Sequence, residues 1–280
     1  DHLHHEGEWT DRRNFRDNAP GLTDDMGGGH SHCGAMIYLG DNWPEKYRDT
    51  IFMSNTHGRR VNHDILKRKG SGYVGIHGKD FMKANQPWYR GVTQIYGPDG
   101  GVYFSDWTDF GECHDNDGVH RTSGRIYKVV YGEVGNPGRL DLSKKTSLEL
   151  VACQLHHNEW YVRHARRLLQ ERFVAGANLT EAREELLRLL EDEEQPVDRQ
   201  LRFLWSLHTT GGLVPEKLTQ LLQHKNEHMR SWAVLLIGEG GAPNSEQFAL
   251  IRNIASNGES KLARLYVAST FPRFTEAQQW

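Results

Sequence analysis

The chain has 280 residues, 37% hydrophobic and 25% charged with only nine prolines, which describes a folded chain able to bury a real core and excludes disordered or fibrous classes. Thirty-four basic against 37 acidic residues give a formal net charge of −3 with no basic block, which argues against a dedicated nucleic-acid or anionic-membrane binder. No apolar run approaches the roughly 18 residues of a membrane span, and Cys33, Cys113 and Cys153 are too few and too scattered for a disulfide framework, a CxxC zinc ribbon or a CxxCH haem attachment.

The opening DHLHHEGEWTDRR has neither an initiator Met nor an apolar signal core, so residue 1 reads as the interior of a longer protein or a processed start. Composition then divides the chain near residue 140. Twenty-two of 29 glycines and ten of 16 histidines lie at or before Gly138, and Leu, Glu, Arg and Gln dominate thereafter. In residues 1–140, the runs AMIYLG (35–40), DTIFMSN (49–55), GVTQIYG (91–97), GVYFSDW (101–107) and GRIYKVVYG (124–132) alternate with Gly- and Asp-rich turns, which predicts antiparallel β structure. Pro98-Asp99-Gly100-Gly101 predicts a tight hairpin, because Pro fixes φ and the glycines accept positive φ. Such strand spacing fits a sandwich, a barrel or propeller blades.

Residues 141–280 carry eight segments with apolar residues at helical spacing: 148–157, 159–173, 179–193, 197–210, 215–224, 227–239, 245–256 and 259–271. Thr180 with Glu181 and Glu184 marks a helix start, and Gly176, Gly211, Gly238 and Gly258 are expected in the breaks. Aligning the second helix of each pair places Arg163, Arg199, Arg230 and Lys261 in register, at separations of 36, 31 and 31 residues. Two positions on come Ala165, Leu201, Trp232 and Ala263, apolar in every copy. This period resembles HEAT repeats, hairpins that bury one face against the next in a solenoid; a plain helical bundle is the other arrangement the pattern permits.

Three polar clusters fall at strand ends or in loops: residues 28–34, 54–62 and 106–120. His30, His32 and Cys33 offer ligands suited to softer metals, while Asp106, Asp109, His114, Asp115, Asp117 and His120 offer oxygen and nitrogen. None has a diagnostic spacing. DNDG at 115–118 starts like a calcium loop, but Ile126 stands where an EF-hand needs Glu, and that motif is rejected. His156 and His157 are expected on a helix, solvent-facing or capping, and Trp9, Trp43, Trp88 and Trp107 as packing residues. No G-x-S-x-G, Walker A or H-E-x-x-H motif is present, which lowers hydrolase and NTPase readings.

The ordered series YRDTIFMSNTHGRRVNHDIL, WYRGVTQIYGPDGGVYFSDW and GRIYKVVYG, over residues 29–132, resembles the last blades of the quinoprotein glucose/sorbosone dehydrogenase-like β-propellers. With HEAT-like hairpins added, the chain is similar to the large membrane-bound dehydrogenase-like, haem-binding proteins of planctomycetes and verrucomicrobia. The resemblance implies a partial β-propeller at 1–140 followed by an α-solenoid of HEAT-like hairpins at 141–280. It implies a sugar or alcohol dehydrogenase using pyrroloquinoline quinone (PQQ), passing electrons to a haem c module outside this chain, in the periplasm or cell envelope. Arg90 matches one of the cofactor-binding arginines, His57 falls where a lysine is common and Trp88 where a second arginine is common. Arg59 and Arg60 would compensate, with His30 and His32 lining the same mouth. The catalytic histidine of that family belongs to an early blade, so no catalytic residue is assigned among these 280, and no metal site is expected. The rival expectation is a non-catalytic module in which the propeller mouth binds carbohydrate or protein and the solenoid docks a partner along its concave face. A third is a metal or haem protein using His30, His32, Cys33 and His114.

Overall fold

The computed structural model describes residues 31–86, 88–108, 122–133 and 135–279. His2, His4, His5, Trp9, His30, Cys113, and the Asp109–His120 part of the third cluster lie outside these residues. Contacts divide the chain into two compact units. One draws on the described residues of Asp1–Lys69, Tyr73–Arg139 and His157–Trp160, and the other on Gly70–Gly72, Leu140–His156 and Tyr161–Trp280.

The first unit holds two sheets. Strands β1 (His32–Ile37), β2 (Ile51–Asn55), β3 (Arg60–Lys69) and β4 (Gly72–His77) lie side by side in that order, and the short β5 (Met82–Lys83) also pairs with β3. Strands β6 (Gly91–Tyr96), β7 (Val102–Asp106) and β8 (Arg125–Val129) form the second, an antiparallel meander. Each of the five runs expected from sequence overlaps a strand, the first only through residues 35–37. Along β7, Val102, Phe104 and Asp106 point inward while Tyr103 is exposed, the period-2 alternation of a half-buried strand. The hairpin at Pro98–Gly101 is as expected: the Gly97 and Gly100 amides donate within the turn to Gly101 O (2.9 Å) and Gly97 O (3.0 Å), and Gly100 has φ +72°.

β3 and β4 were not legible as strands, and part of the 54–62 cluster read as loop is strand. Val61, Asn62, His63 and Asp64 are all buried in β3, three of them polar, so no hydrophobic alternation announces the strand. Asn62 Oδ1 and Nδ2, His63 Nε2 and Asp64 Oδ1 each meet a polar partner inside the unit, which is what makes their burial tolerable.

The core joins both sheets: Met36, Tyr38, Trp43, Phe52, Val61, Tyr96, Val102 and Phe104 form one buried cluster. β1 comes so close to β6 that a Cβ on Gly34 (φ +61°) would stand 2.1 Å from Val92 O, so only glycine fits there.

The second unit is helical: α1 (Ser147–Ala152), α2 (Glu159–Val174), α3 (Thr180–Glu191), α4 (Val197–Thr209), α5 (Pro215–Leu221), α6 (Glu227–Gly240), α7 (Ser245–Asn257), α8 (Lys261–Thr270) and the short α9 (Glu276–Gln279). The pairs α3/α4, α5/α6 and α7/α8 pack as hairpins, and the second members stack, α4 on α6 and α6 on α8. Ala165, Leu201 and Ala263 are buried as the repeat alignment requires, while Trp232 is half-buried. Arginines tie successive elements: Arg202 donates to Gln154 O and His156 O (3.1 Å each), and Arg230 to His224 O (2.6 Å) and Lys225 O (2.9 Å), satisfying carbonyls that helix ends leave open.

Two local expectations are corrected. Gly238 lies inside α6, not in a break; a Cβ there would meet Thr270 Cγ2 at 2.1 Å, so it permits the close approach of α6 and α8. The left-handed positions in the breaks are Gly176, Gly211 and Gly241. The helix start expected at Thr180 is where α3 begins; just before it Asn178 Oδ1 accepts from Thr180 N (3.0 Å) and Oγ1 (2.8 Å), and Leu179 at the N-cap makes no side-chain bond. His156 and His157 lie between helices, and the His156 ring rests on Tyr161 with centroids 4.1 Å apart.

Candidate functional site: the polar pole of the sheet unit

Strand register sorts the first unit into an aromatic end and a polar end. At the polar end, His32 faces Asn55, Asn55 faces Arg60 and Arg60 faces Lys83 across the first sheet. Across the second, Gly91 faces Asp106 and Asp106 faces Arg125. The two rows are stitched together by side chains: Thr56 Oγ1 donates to Gly91 O (2.9 Å), Cys33 Sγ to the same oxygen (3.6 Å), and Gln94 Nε2 to Ser54 Oγ (3.3 Å). The structure therefore brings the chain around His57 and the chain around Arg90 together.

The residues named from sequence occupy this pole in different ways. Arg59 is exposed and sits at φ +51°, His57 is half-buried beside it in the turn, and His32 is exposed. Arg90 is only 3% exposed, its backbone amide donating to Asp106 Oδ1 (2.8 Å) and its Nη1 to Tyr89 O (3.2 Å). His30 lies outside the described residues. Trp43 belongs to the core, Trp88 is half-buried and Trp107 is exposed.

Backbone strain concentrates here. Among described residues, four non-glycine positions have positive φ, and Ser31 (59°), Arg59 (51°) and Thr108 (55°) all border this pole. Such positions cost on the order of 1–3 kcal/mol each and persist where surroundings over-determine them. At Thr108 the cause is visible: Asp106 accepts from Thr108 N (2.8 Å) and Thr108 Oγ1 (2.9 Å).

A second network, absent from the sequence-based reading, supports the pole from beneath. Asp80 accepts from Arg60 Nη1 (2.9 Å) and Asn62 Nδ2 (2.8 Å), with Lys83 Nζ at 3.3 Å and His77 Nε2 at 3.6 Å. His77 Nδ1 lies 3.0 Å from the fully buried Asp64. Asn62 Oδ1 accepts from Asn55 Nδ2 (2.9 Å), and that same nitrogen lies 3.2 Å from His32 Nε2. Only the SNTHGRRVN segment hinted at it, since a four-residue turn in that segment folds Asn55 back beside Asn62. Cations at the pole (Arg59, Arg60, Lys83, Arg90 and Arg125) outnumber the carboxylates of the pole and its supporting network, Asp64, Asp80 and Asp106, among the described residues. Among those residues no group of three or more His, Cys, Asp or Glu is arranged to hold a metal ion.

Burial pushes the Tyr89 phenol, beside Asp106, well above its ordinary range, and raises Tyr38 as well. Burial also pushes the His63 imidazole down. Above about pH 10 the unfolded tyrosines ionise while the folded ones keep their protons, so stability falls as pH rises beyond that value. Below about pH 6.5 the unfolded His63 takes up a proton before the folded one, so stability is lost as pH falls through that range. A melting-temperature profile is expected to be flat from about pH 7 to 8, to decline below that as unfolded His63 and His224 take up protons, and to decline above it as the unfolded Cys153 thiol and then the tyrosines ionise, burial holding the folded Cys153 thiol up. An alkaline limb unchanged in Tyr89→Phe would contradict the assignment to Tyr89.

Residues 10–133, less than half of the chain, match a family model described as a domain of unknown function (DUF7133). No curated protein and no solved structure matches the chain. No helix among the described residues is long and apolar enough to cross a membrane.

Proposed function

We propose that the chain is the C-terminal part of a quinoprotein-type sugar or alcohol dehydrogenase that passes electrons to a haem c module outside these residues. On this reading the sheet unit is the last blades of a propeller, the helical unit a HEAT-like solenoid, and the setting the periplasm or cell envelope. The supporting observation is the convergence of Arg59, His57, His32 and Arg90 on one strained, cation-rich pole. PQQ is a tricarboxylate, and guanidinium groups recognise carboxylates through paired charge-assisted hydrogen bonds. Arg59 and His32 are exposed and fit as direct contacts, with His57 beside them; Arg90 is buried and contributes positive potential from within. When bound, the quinone supplies the electron acceptor for oxidation of the substrate hydroxyl.

The test is titration of PQQ into the purified chain, with dye reduction by sugars and polyols measured on the full-length parent that carries the early blades. Saturable binding weakened about tenfold or more by Arg59→Ala is expected, the loss of one hydrogen bond to a charged group. No binding at hundred-micromolar PQQ would sink the quinoprotein reading.

A second reading, a non-catalytic module binding carbohydrate at the pole and a protein along the helices, has its own support. Trp205, Trp232 and Tyr266 form a line of half-buried rings across α4, α6 and α8, with centroids 5.0 and 6.3 Å apart, and Arg166 stacks on Trp205 at 5.3 Å. Sugar binding without quinone binding or dye reduction would favour it.

A further inference from the structure

We infer that Asn55 is a positioning residue that holds His32 as a neutral imidazole protonated on Nδ1, so that whatever partners Nδ1, from protein or ligand, must be a hydrogen-bond acceptor. The polarity is dictated from the buried end outward. Asp80, ion-paired to Arg60 at 2.9 Å, is a carboxylate and can only accept, so Asn62 presents its amide nitrogen to it. Asn62 Oδ1 is thereby turned to Asn55 and must receive a proton from Asn55 Nδ2. The other end of Asn55 is fixed independently, since its Oδ1 accepts from the Gly58 amide at 2.7 Å, and a backbone amide can only donate. Asn55 Nδ2 therefore has two protons, one given to Asn62 and the other aimed at His32 Nε2, 3.2 Å away.

A nitrogen that receives a proton from an amide carries none itself. His32 Nε2 is the acceptor, and the ring proton of the neutral imidazole sits on Nδ1. A protonated Nε2 would set two donors against each other. The consequence is a division of labour at the pole: His32 contributes a directed donor without charge, suited to a carboxylate or carbonyl oxygen, and positive charge comes from the arginines. The same bond keeps Nε2 from serving as a metal ligand or as a proton acceptor from substrate.

The inference does not rest on the quinone reading, and the two fail separately: PQQ titration tests that reading, whereas the tautomer is read with no ligand present. The experiment is a long-range proton–nitrogen correlation of the histidine rings in the isotope-labelled chain near pH 8, above the ordinary imidazole range of about 6.5. The His32 signals are assigned by their loss in His32→Gln. The expected result is a protonated-type shift at Nδ1 and an unprotonated-type shift at Nε2. Protonation at Nε2, or shifts averaged between the tautomers, would overturn the inference. In Asn55→Asp the side chain facing His32 becomes an acceptor, and the proton is expected to move to Nε2; an unchanged Nδ1 proton in that folded variant would also overturn it. Should Asn55→Asp not fold, the wild-type spectrum decides alone.

Discussion

Trp43→Ala is expected to destabilise the sheet unit by about 3–5 kcal/mol, the usual cost of truncating a large buried aromatic. The side chain is 6% exposed and stands at the centre of the core. It stacks on Phe81 (centroids 4.4 Å) and Tyr38 (4.8 Å), meets Phe52 edge-on (5.2 Å), and its Nε1 donates to Val129 O at 3.2 Å, in the second sheet's last strand. Truncation would leave a cavity spanning both sheets and strip one carbonyl of its donor. It would also loosen the packing on Tyr38, whose hydroxyl accepts from the Trp43 amide (2.8 Å) and the Asn42 amide (2.9 Å) and donates to Gly100 O (2.9 Å). Urea unfolding followed by near-ultraviolet circular dichroism measures the loss. Trp43→Phe keeps most of the aromatic contact and should cost clearly less than the alanine variant. A loss below about 1 kcal/mol for Trp43→Ala would mean that this cluster is not what joins the sheets.

The importance of Trp43 was only partly legible in the sequence, and the reason is physical. Strands such as GVYFSDW announce themselves because their alternation comes from the hydrophobic effect, a local pattern. The eight helical segments were readable on the same ground, each being apolar at a 3.6-residue period. β3 obeys different physics: Asn62, His63 and Asp64 are buried because partners from other segments satisfy them, and those partners are specified by register rather than by neighbouring residues. Gly238 shows the same limit from the other side. A glycine near a helix end reads as a terminator, but this one is required by Thr270, 32 positions later in the chain. At the pole, Arg59, His57, His32 and Arg90 could be named through the family resemblance, and only the first three also lie in polar clusters of the sequence. The Asn55–Asn62–Asp80 relay could not, since amides are common in turns and their direction emerges only when Asp80 and the Gly58 amide fix it from either end.

Asp80→Ala carries the other large expected effect, about 3–5 kcal/mol, because it removes one member of a mostly buried ion pair and leaves the other uncompensated. The Asp80 side chain is 7% exposed and that of Arg60 17%, so solvent screens the pair little; Lys83, at 64%, adds little beyond it. Arg60 would lose its carboxylate partner, and Asn62 would lose the acceptor that orients its amide. The damage is therefore both electrostatic and geometric. Two measurements separate these components. Replacing the pair together, Asp80→Ala with Arg60→Met, removes the stranded charge and should recover part of the stability in urea unfolding. The His32 tautomer should persist in both variants, because the Gly58 amide still fixes the direction of the Asn55 side chain from its other end. A double variant as unstable as Asp80→Ala would place the cost in the relay rather than in the unpaired guanidinium. A single variant within 1 kcal/mol of wild type would show that Asp80 does not organise the pole.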